Sequence, residues 1–412
     1  MNILFIYSFQ DYQVQGKEMQ GQLMHVGISY ISSLLKSHGH QTELLVLNQY
    51  SKKQEIKQVL IQFQPALICF TAVVTEYQLV LRIARFIKSA FPSIYLLIGG
   101  IHATLSPKLA FQDPFDAVCI GEGEYPTLEL VEQLEKDKIP HNIKNLWLRT
   151  ENGVEKNPPR EFIQNLDNLP FPDREMWHKW ISPDSPQKVI LLARGCPFSC
   201  TYCSNHALKK VATGKYVRFR SVRNVLQEME ELVTKFPKTK EIRFVVETIG
   251  VDMEFALNLC SELEKFNKKR QRPLAFELNL RITPNKDFEP LFRALKKANF
   301  RSVNFGLESG SERIRKEILN RNYSNTDIIN AIRLAKKHGL RTLTYNLIGL
   351  PGETLADFKE TLACNRKSLP DGAKLHIFFP YPGTKLYDLC KEKGLLDHKL
   401  DGKLERRRAV LN

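Results

Sequence analysis

Three cysteines fall within eight positions of the stretch ARGCPFSCTYCSNHAL: Cys196, Cys200 and Cys203, with His206 three residues after the last. Thiols at this density suit a zinc site, an iron–sulfur cluster or inert packing. Inert packing is common for a lone buried cysteine, but not for three on one loop. Zinc needs a fourth ligand, for which His206 stands nearby, yet zinc ligands usually come as two pairs separated by a longer loop. The chain has no second pair. A four-iron cluster also takes four ligands. If only three come from protein, one iron stays open to a small molecule, and an open iron implies catalysis.

The elements around this stretch must place it. From QKVILLARG onward, the runs EIRFVVETIG, LAFELNLRI, SVNFGLESG, RTLTYNLIGLPGE and KLHIFFPYPGT read as strands alternating with helical stretches. Six β/α units are too few for a closed eight-stranded barrel, so residues 186–390 are expected to form an open, partial barrel. Chemistry in such barrels sits at the C-terminal strand ends, and the cysteines follow the first strand. Residues 1–145 also alternate strand and helix, with near-continuous apolar strands such as NILFIYS and SIYLLIGG. That pattern predicts a parallel sheet covered on both faces, a doubly wound flavodoxin-like domain. Residues 146–185, rich in Pro, Asn and Asp, read as a linker. Residues 391–412 read as a short basic tail.

C-x3-C-x2-C with Tyr202 before the last cysteine resembles the signature of the radical S-adenosylmethionine (radical SAM) enzymes. The segments NFGLESGSERIRKEI, YNLIGLPGETLADFKETL and PYPGTKLYD resemble those of the subgroup with an N-terminal cobalamin-binding domain, the class B methyltransferase-like proteins. The resemblance implies that Cys196, Cys200 and Cys203 hold a [4Fe-4S] cluster whose open iron chelates S-adenosylmethionine. One-electron reduction, from a reductase, flavodoxin or ferredoxin, then releases a 5′-deoxyadenosyl radical. Tyr202, Glu247, Arg281, Glu308, Ser309 and Gly349 are the candidate contacts to S-adenosylmethionine, with Thr248, Gly352 and Glu353 beside them. Glu308 and Ser309 also suit helix caps, and Gly349 suits a tight strand-to-helix turn. Where many relatives carry two acids, VVETIG has only Glu247.

In the first domain IGGIHATLSP and IGEGEYPTLEL resemble the matching segments of cobalamin-binding domains. Ligands of doubly wound sheets lie at the C-terminal strand ends. Thr71, Ala72, Val73, Gly99, Gly100, His102, Gly121, Glu122 and Gly123 are therefore the expected cobalamin contacts. The glycines would leave room for a large cofactor; the plainer alternative is that they make tight turns. The chain lacks the Asp-x-His-x-x-Gly string that brings a histidine to cobalt in methionine synthase-like domains, so no such axial ligand is expected. Methylthiotransferases need three further cysteines in this domain; only Cys69 and Cys119 occur, inside apolar runs.

The resemblance implies cobalamin-dependent methyl transfer to an unactivated carbon. The alternative is a radical SAM cyclisation, rearrangement or oxidation, and a third reading is a zinc-stabilised RNA-binding scaffold. The net charge of +15 is spread along the chain and matches no nucleic-acid-binding module, which argues against the third. The substrate, a small molecule or peptide, is not readable, and no residue stands out as a general acid or base. No apolar run reaches the roughly 20 residues of a membrane span. The N-terminus reads as a strand and not as a signal peptide, and the scattered remaining cysteines suit a reducing cytoplasm.

Overall fold

The computed structural model describes residues 1–9, 24–112, 114–396, 405 and 408–411. The first sheet comprises β1 (Asn2–Ser8), β2 (Gln41–Leu47), β3 (Leu67–Thr71), β4 (Tyr95–Gly99), β5 (Ala117–Cys119), β6 (Leu146–Thr150) and β7 (Gly153–Lys156). Its order is β2-β1-β3-β4-β5-β6-β7, parallel from β2 to β5. The strands are apolar on both faces because helices cover both. Leu4, Ile6, Ile68, Leu96 and Val118 pack into one layer, and Ile3, Phe5, Leu67, Leu97 and Ala117 into the other. Strand order reverses between β1 and β3, the position where doubly wound sheets bind ligands.

The segment expected to be a linker from residue 146 instead begins with two strands of this sheet: β6 pairs antiparallel with β5, and β7 with β6. Leu146 and Leu148 are fully buried, so the hairpin has an apolar face to contribute and docks on the open sheet edge. The rest of the segment straps the two halves together. Trp177 is buried in the first domain, its Nε1–H donating to Ser29 Oγ at 2.8 Å. Arg174, three residues earlier, reaches Glu228 in the second domain.

The second sheet contains β8 (Gln187–Leu191), then a short two-stranded ribbon intervenes, β9 (Ala193–Arg194) with β10 (Arg218–Phe219). The sheet continues with β11 (Glu241–Val245), β12 (Ala275–Leu280), β13 (Phe300–Glu308), β14 (Arg341–Ile348) and β15 (Gly372–Ile377). Its order is β15-β14-β13-β12-β11-β8, six parallel strands in an open array. On the helix-covered face Phe244, Phe276 and Phe300 form an aromatic group with centroids 5.3–5.9 Å apart. The alternate residues Arg243, Glu277, Asn279 and Asn304 bring polar groups to the opposite face, where Arg243 pairs with Glu277 and Asn304 donates to Asn279.

Helices begin where side chains can satisfy their first N–H groups. Ser324 with Asp327 and Thr354 with Asp357 form capping boxes at helices Asn325–Lys337 and Leu355–Ser368. Of the tail from residue 391, the first two residues finish the helix Lys385–Glu392, and Leu396 bridges to Leu411; residues 397–404, 406, 407 and 412 lie outside the described residues.

Candidate active site

The cysteine loop begins directly after β9, beyond the C-terminal end of β8. Cys200 is buried, while Cys196 and Cys203 are half-buried. Burial pushes the Cys196 thiol up to about 11 and raises that of Cys203 as well. Holding the loop as thiolates therefore calls for a cationic group bound among them. Arg281, which follows β12, donates to Cys200 Sγ at 2.7 Å and lies 3.7 Å over the Phe198 ring. Asn205 donates to Cys203 Sγ at 3.5 Å.

His206, the fourth ligand of a zinc reading, is buried, and its Nε2 accepts from the Lys385 backbone N–H at 3.1 Å. That bond spends the ring nitrogen's lone pair on the backbone. No three His, Cys, Asp or Glu side chains among the described residues are gathered tightly enough for one ion. A cubane cluster instead takes each thiolate on a separate iron. The donor set, three thiols and no fourth protein ligand beside them, fits such a cluster.

Around the loop stand several of the residues singled out above. Tyr202 accepts at its hydroxyl oxygen from Arg321 Nη1 at 2.9 Å, and the same nitrogen reaches Glu308 Oε1 at 3.2 Å. Glu308 is held with φ +62° at the end of β13, where the register with β14 shifts. Glu247 is exposed, and its charge acts on Cys196 and Cys203. Gly349, with φ +74°, donates its N–H to Glu353 Oε2 at 2.7 Å, and Leu350 does so at 3.2 Å. Glu353 thus ties the turn, and its buried Oε1 has no partner. Ser309 is turned away: it is fully buried, and its Oγ accepts from Ser311 N–H against the helix Leu355–Ser368. Thr248 is likewise occupied, accepting from Arg281 N–H at 3.0 Å.

In the first domain a cavity of about 280 Å³ opens at the ends of β3, β4 and β5. Thr71, Gly99, Gly100, Gly121, Glu122 and Gly123 line it, among aliphatic side chains, Cys69 and Cys119. Gly100 acts differently from the expectation that the glycines clear space for a cofactor. A Cβ on Gly100 would stand 2.6 Å from Thr71 Oγ1 and 2.9 Å from the Ala72 backbone, so this glycine permits the protein's own close packing. Ala72, Val73 and His102 are not in the lining. His102 is buried with its ring 4.1 Å from Tyr77. His25, which the sequence did not point to, does line the cavity. Its Nδ1 accepts from Ile28 N–H at 3.2 Å, which leaves the proton on Nε2.

Comparison with known proteins agrees with this geometry. The model of the radical SAM superfamily matches residues 190–364, and that of the B12 binding domain matches residues 13–131. The chain thus joins a B12 binding domain to a domain of the radical SAM superfamily. It is similar to an uncharacterised methyltransferase of Pyrococcus horikoshii, 29% identical and covering 90% of this chain and 79% of the relative. It is also similar to the anaerobic magnesium-protoporphyrin IX monomethyl ester cyclase of Rubrivivax gelatinosus, 26% identical over 95% and 70% of the two chains. Among solved structures, the radical S-adenosylmethionine methyltransferase TsrM of Kitasatospora setae shares the fold, with a TM-score of 0.74, 18% identity and coverage of 94% of this chain and 76% of that one. The cobalamin-dependent radical enzyme OxsB shares it at a TM-score of 0.76 and 18% identity, over 99% of this chain and 64% of that one. The chain is therefore a radical SAM enzyme whose cofactors are a [4Fe-4S] cluster, S-adenosylmethionine and cobalamin. No helix among the described residues is long and apolar enough to cross a membrane.

Proposed function

We propose that the chain transfers a methyl group to a carbon of its substrate, using cobalamin and S-adenosylmethionine together. The observation that carries this reading is the pairing of a three-thiol loop at the barrel mouth with a large apolar cavity at the ends of the first sheet. Cys196, Cys200 and Cys203 are the residues that would hold the cluster. When bound, the cofactors supply reductive cleavage of S-adenosylmethionine and carriage of its methyl group.

The chain's own residues orient and enclose. Arg281 brings a positive charge to the thiolate side of the loop, and Glu353 stiffens the turn at Gly349 where backbone N–H groups gather. Tyr202, Glu247 and Glu308 stand beside the loop as contacts for S-adenosylmethionine. Thr71, Gly99, Gly100, Gly121 and Gly123 wall the cobalamin cavity. The polar inner face of β11 to β13 suits a substrate with hydrogen-bonding groups. An external one-electron donor such as a flavodoxin or ferredoxin completes the system, and a reducing cytoplasm suits three free thiols on one loop.

The test begins with protein purified without oxygen and reconstituted with iron, sulfide and hydroxocobalamin. About four irons and one cobalt per chain are expected, with iron lost and cobalt retained when all three loop cysteines become Ala. Methyl-labelled S-adenosylmethionine should then place its label on the reduced cobalamin. Formation of 5′-deoxyadenosine with no labelled cobalamin would favour the cyclisation or oxidation alternative, for which the similarity to the Rubrivivax cyclase speaks.

A further inference from the structure

β9 and β10 form a ribbon in which Arg194 stands directly opposite Arg218. Like charges in that register repel, and both side chains are largely buried, so the ribbon needs a carboxylate from elsewhere. The first domain supplies it. Glu122 Oε1 lies 2.8 Å from Arg194 Nη1, and both Glu122 oxygens lie 3.0 Å from Arg218 Nη1. Glu122 Oε2 also accepts from Ile163 N–H at 2.8 Å, in the strap between the domains. The second arm of Arg194 pairs with Glu124. Burial works to raise the Glu122 carboxyl, and Arg194 and Arg218 overcome it and hold the group below the usual carboxylate range.

Two short paths run from this knot to the cysteine loop. Arg194 is two residues before Cys196, and Gly195 between them is wedged in place: its φ is +84°, and a Cβ there would stand 2.2 Å from the Tyr216 carbonyl oxygen. The second path starts at Arg218, whose Nε donates to that same carbonyl at 3.2 Å. Tyr216 then donates through its hydroxyl to Asn205 Oδ1 at 2.7 Å, and Asn205 donates to Cys203 Sγ. In the opposite direction Glu122 lines the first-domain cavity.

We infer that Glu122, gripped by Arg194 and Arg218, is the positioning residue that sets the distance between the cysteine loop and the first-domain cavity. The inference rests on the reading that the loop holds a cluster and the cavity holds cobalamin. It gives Glu122 a role other than direct contact with the cofactor. Fixed spacing matters because a misplacement of about 1 Å in reacting groups can cost roughly 10²-fold in rate.

The test uses the full chain reconstituted without oxygen, reduced so that both the cluster and cobalt(II) are paramagnetic. Pulsed electron paramagnetic resonance then reads the distribution of cluster–cobalt distances. The unmodified protein should give one narrow distribution. Glu122→Gln and Arg194→Lys should keep both metals and broaden or shift it; the lysine retains the charge but lacks the two-armed fork that spans Glu122 and Glu124. Asp116→Asn, which disturbs the pair with Lys88 and the bond from Leu96 N–H at the end of β5 opposite the cavity, should lower the melting temperature and leave the distribution unchanged. An unchanged distribution in the Glu122 variant overturns the inference; if that variant does not fold, the Arg194 variant decides in the same way. Loss of cobalt alone from Glu122→Gln also overturns it, because that marks a direct cofactor contact. Failure of the unmodified protein to take up iron or cobalt overturns the cofactor reading instead.

Discussion

The first-domain cavity and the cysteine loop lie on either side of one ion-paired knot, yet their walls are made differently. The cavity is bounded mostly by strand-end backbone, glycines and apolar side chains such as Phe5, Ile31 and Leu97, with Glu122, Glu124 and Arg194 of the knot also in its lining. The loop is surrounded by charge and hydrogen bonds, with Arg281 on Cys200, Asn205 on Cys203 and Arg321 joining Tyr202 to Glu308. A large rigid cofactor is held by shape and apolar area, for which backbone walls suffice. A metal cluster is held by covalent ligands, and the surroundings tune and aim them. The contrast predicts that substitutions will separate the two sites by what they disturb.

Replacing Cys196, Cys200 and Cys203 with Ala should have the largest effect. Metal analysis is expected to find no cluster iron and undiminished cobalt; loss of both would mean that the sites are not separately built. Next comes Trp177→Ala, which empties a buried site joining the strap to the first domain. An aromatic-to-Ala change in a core costs about 3–5 kcal/mol, measurable by urea unfolding, and cobalt uptake should fall more than iron uptake. Gly100→Ala should follow, since strain at a positive φ costs about 1–3 kcal/mol and its Cβ meets Thr71 and Ala72. Cobalt titration should weaken while iron content holds.

The smallest effect concerns acid. Burial pushes the His25 ring down to about 4. Because its folded value lies below the ordinary value of about 6.5, the unfolded chain binds more protons between the two. Stability should therefore rise with pH across that window, and His25→Gln should flatten the rise. Glu122 contributes in a lower window. Its carboxyl is held below the usual range, so its stabilisation is present above about pH 4.3 and is lost as pH falls through the folded value. Urea midpoints measured at stepped pH should show the two losses in that order.

Much of the fold was legible in the sequence because alternation of apolar strands and amphipathic helices is local. The six parallel strands of the second sheet and the five of the first follow from such runs. The strands of the hairpin at Leu146–Lys156 were obscured by the Pro- and Asn-rich chain after them. Their membership in the sheet depends on finding the free edge of β5. The site was partly legible. Three cysteines at short spacing announce themselves, whereas Ser309 and Glu308, neighbours at one strand end, look equivalent until packing turns one inward. His25 carried no motif and emerged only as a wall of the cavity.

Sequence alone determined the three-thiol loop, the order of strands along the chain and the glycines at strand ends, because spacing and backbone freedom are properties of neighbouring residues. Tertiary structure alone decided that Gly100 serves the protein's own packing, that His206 is bonded to backbone, and that Glu122 meets Arg194 and Arg218. These last residues are 72 and 96 positions from Glu122. Charges that far apart attract or repel only after two domains have docked, and no local pattern records which partner burial will select.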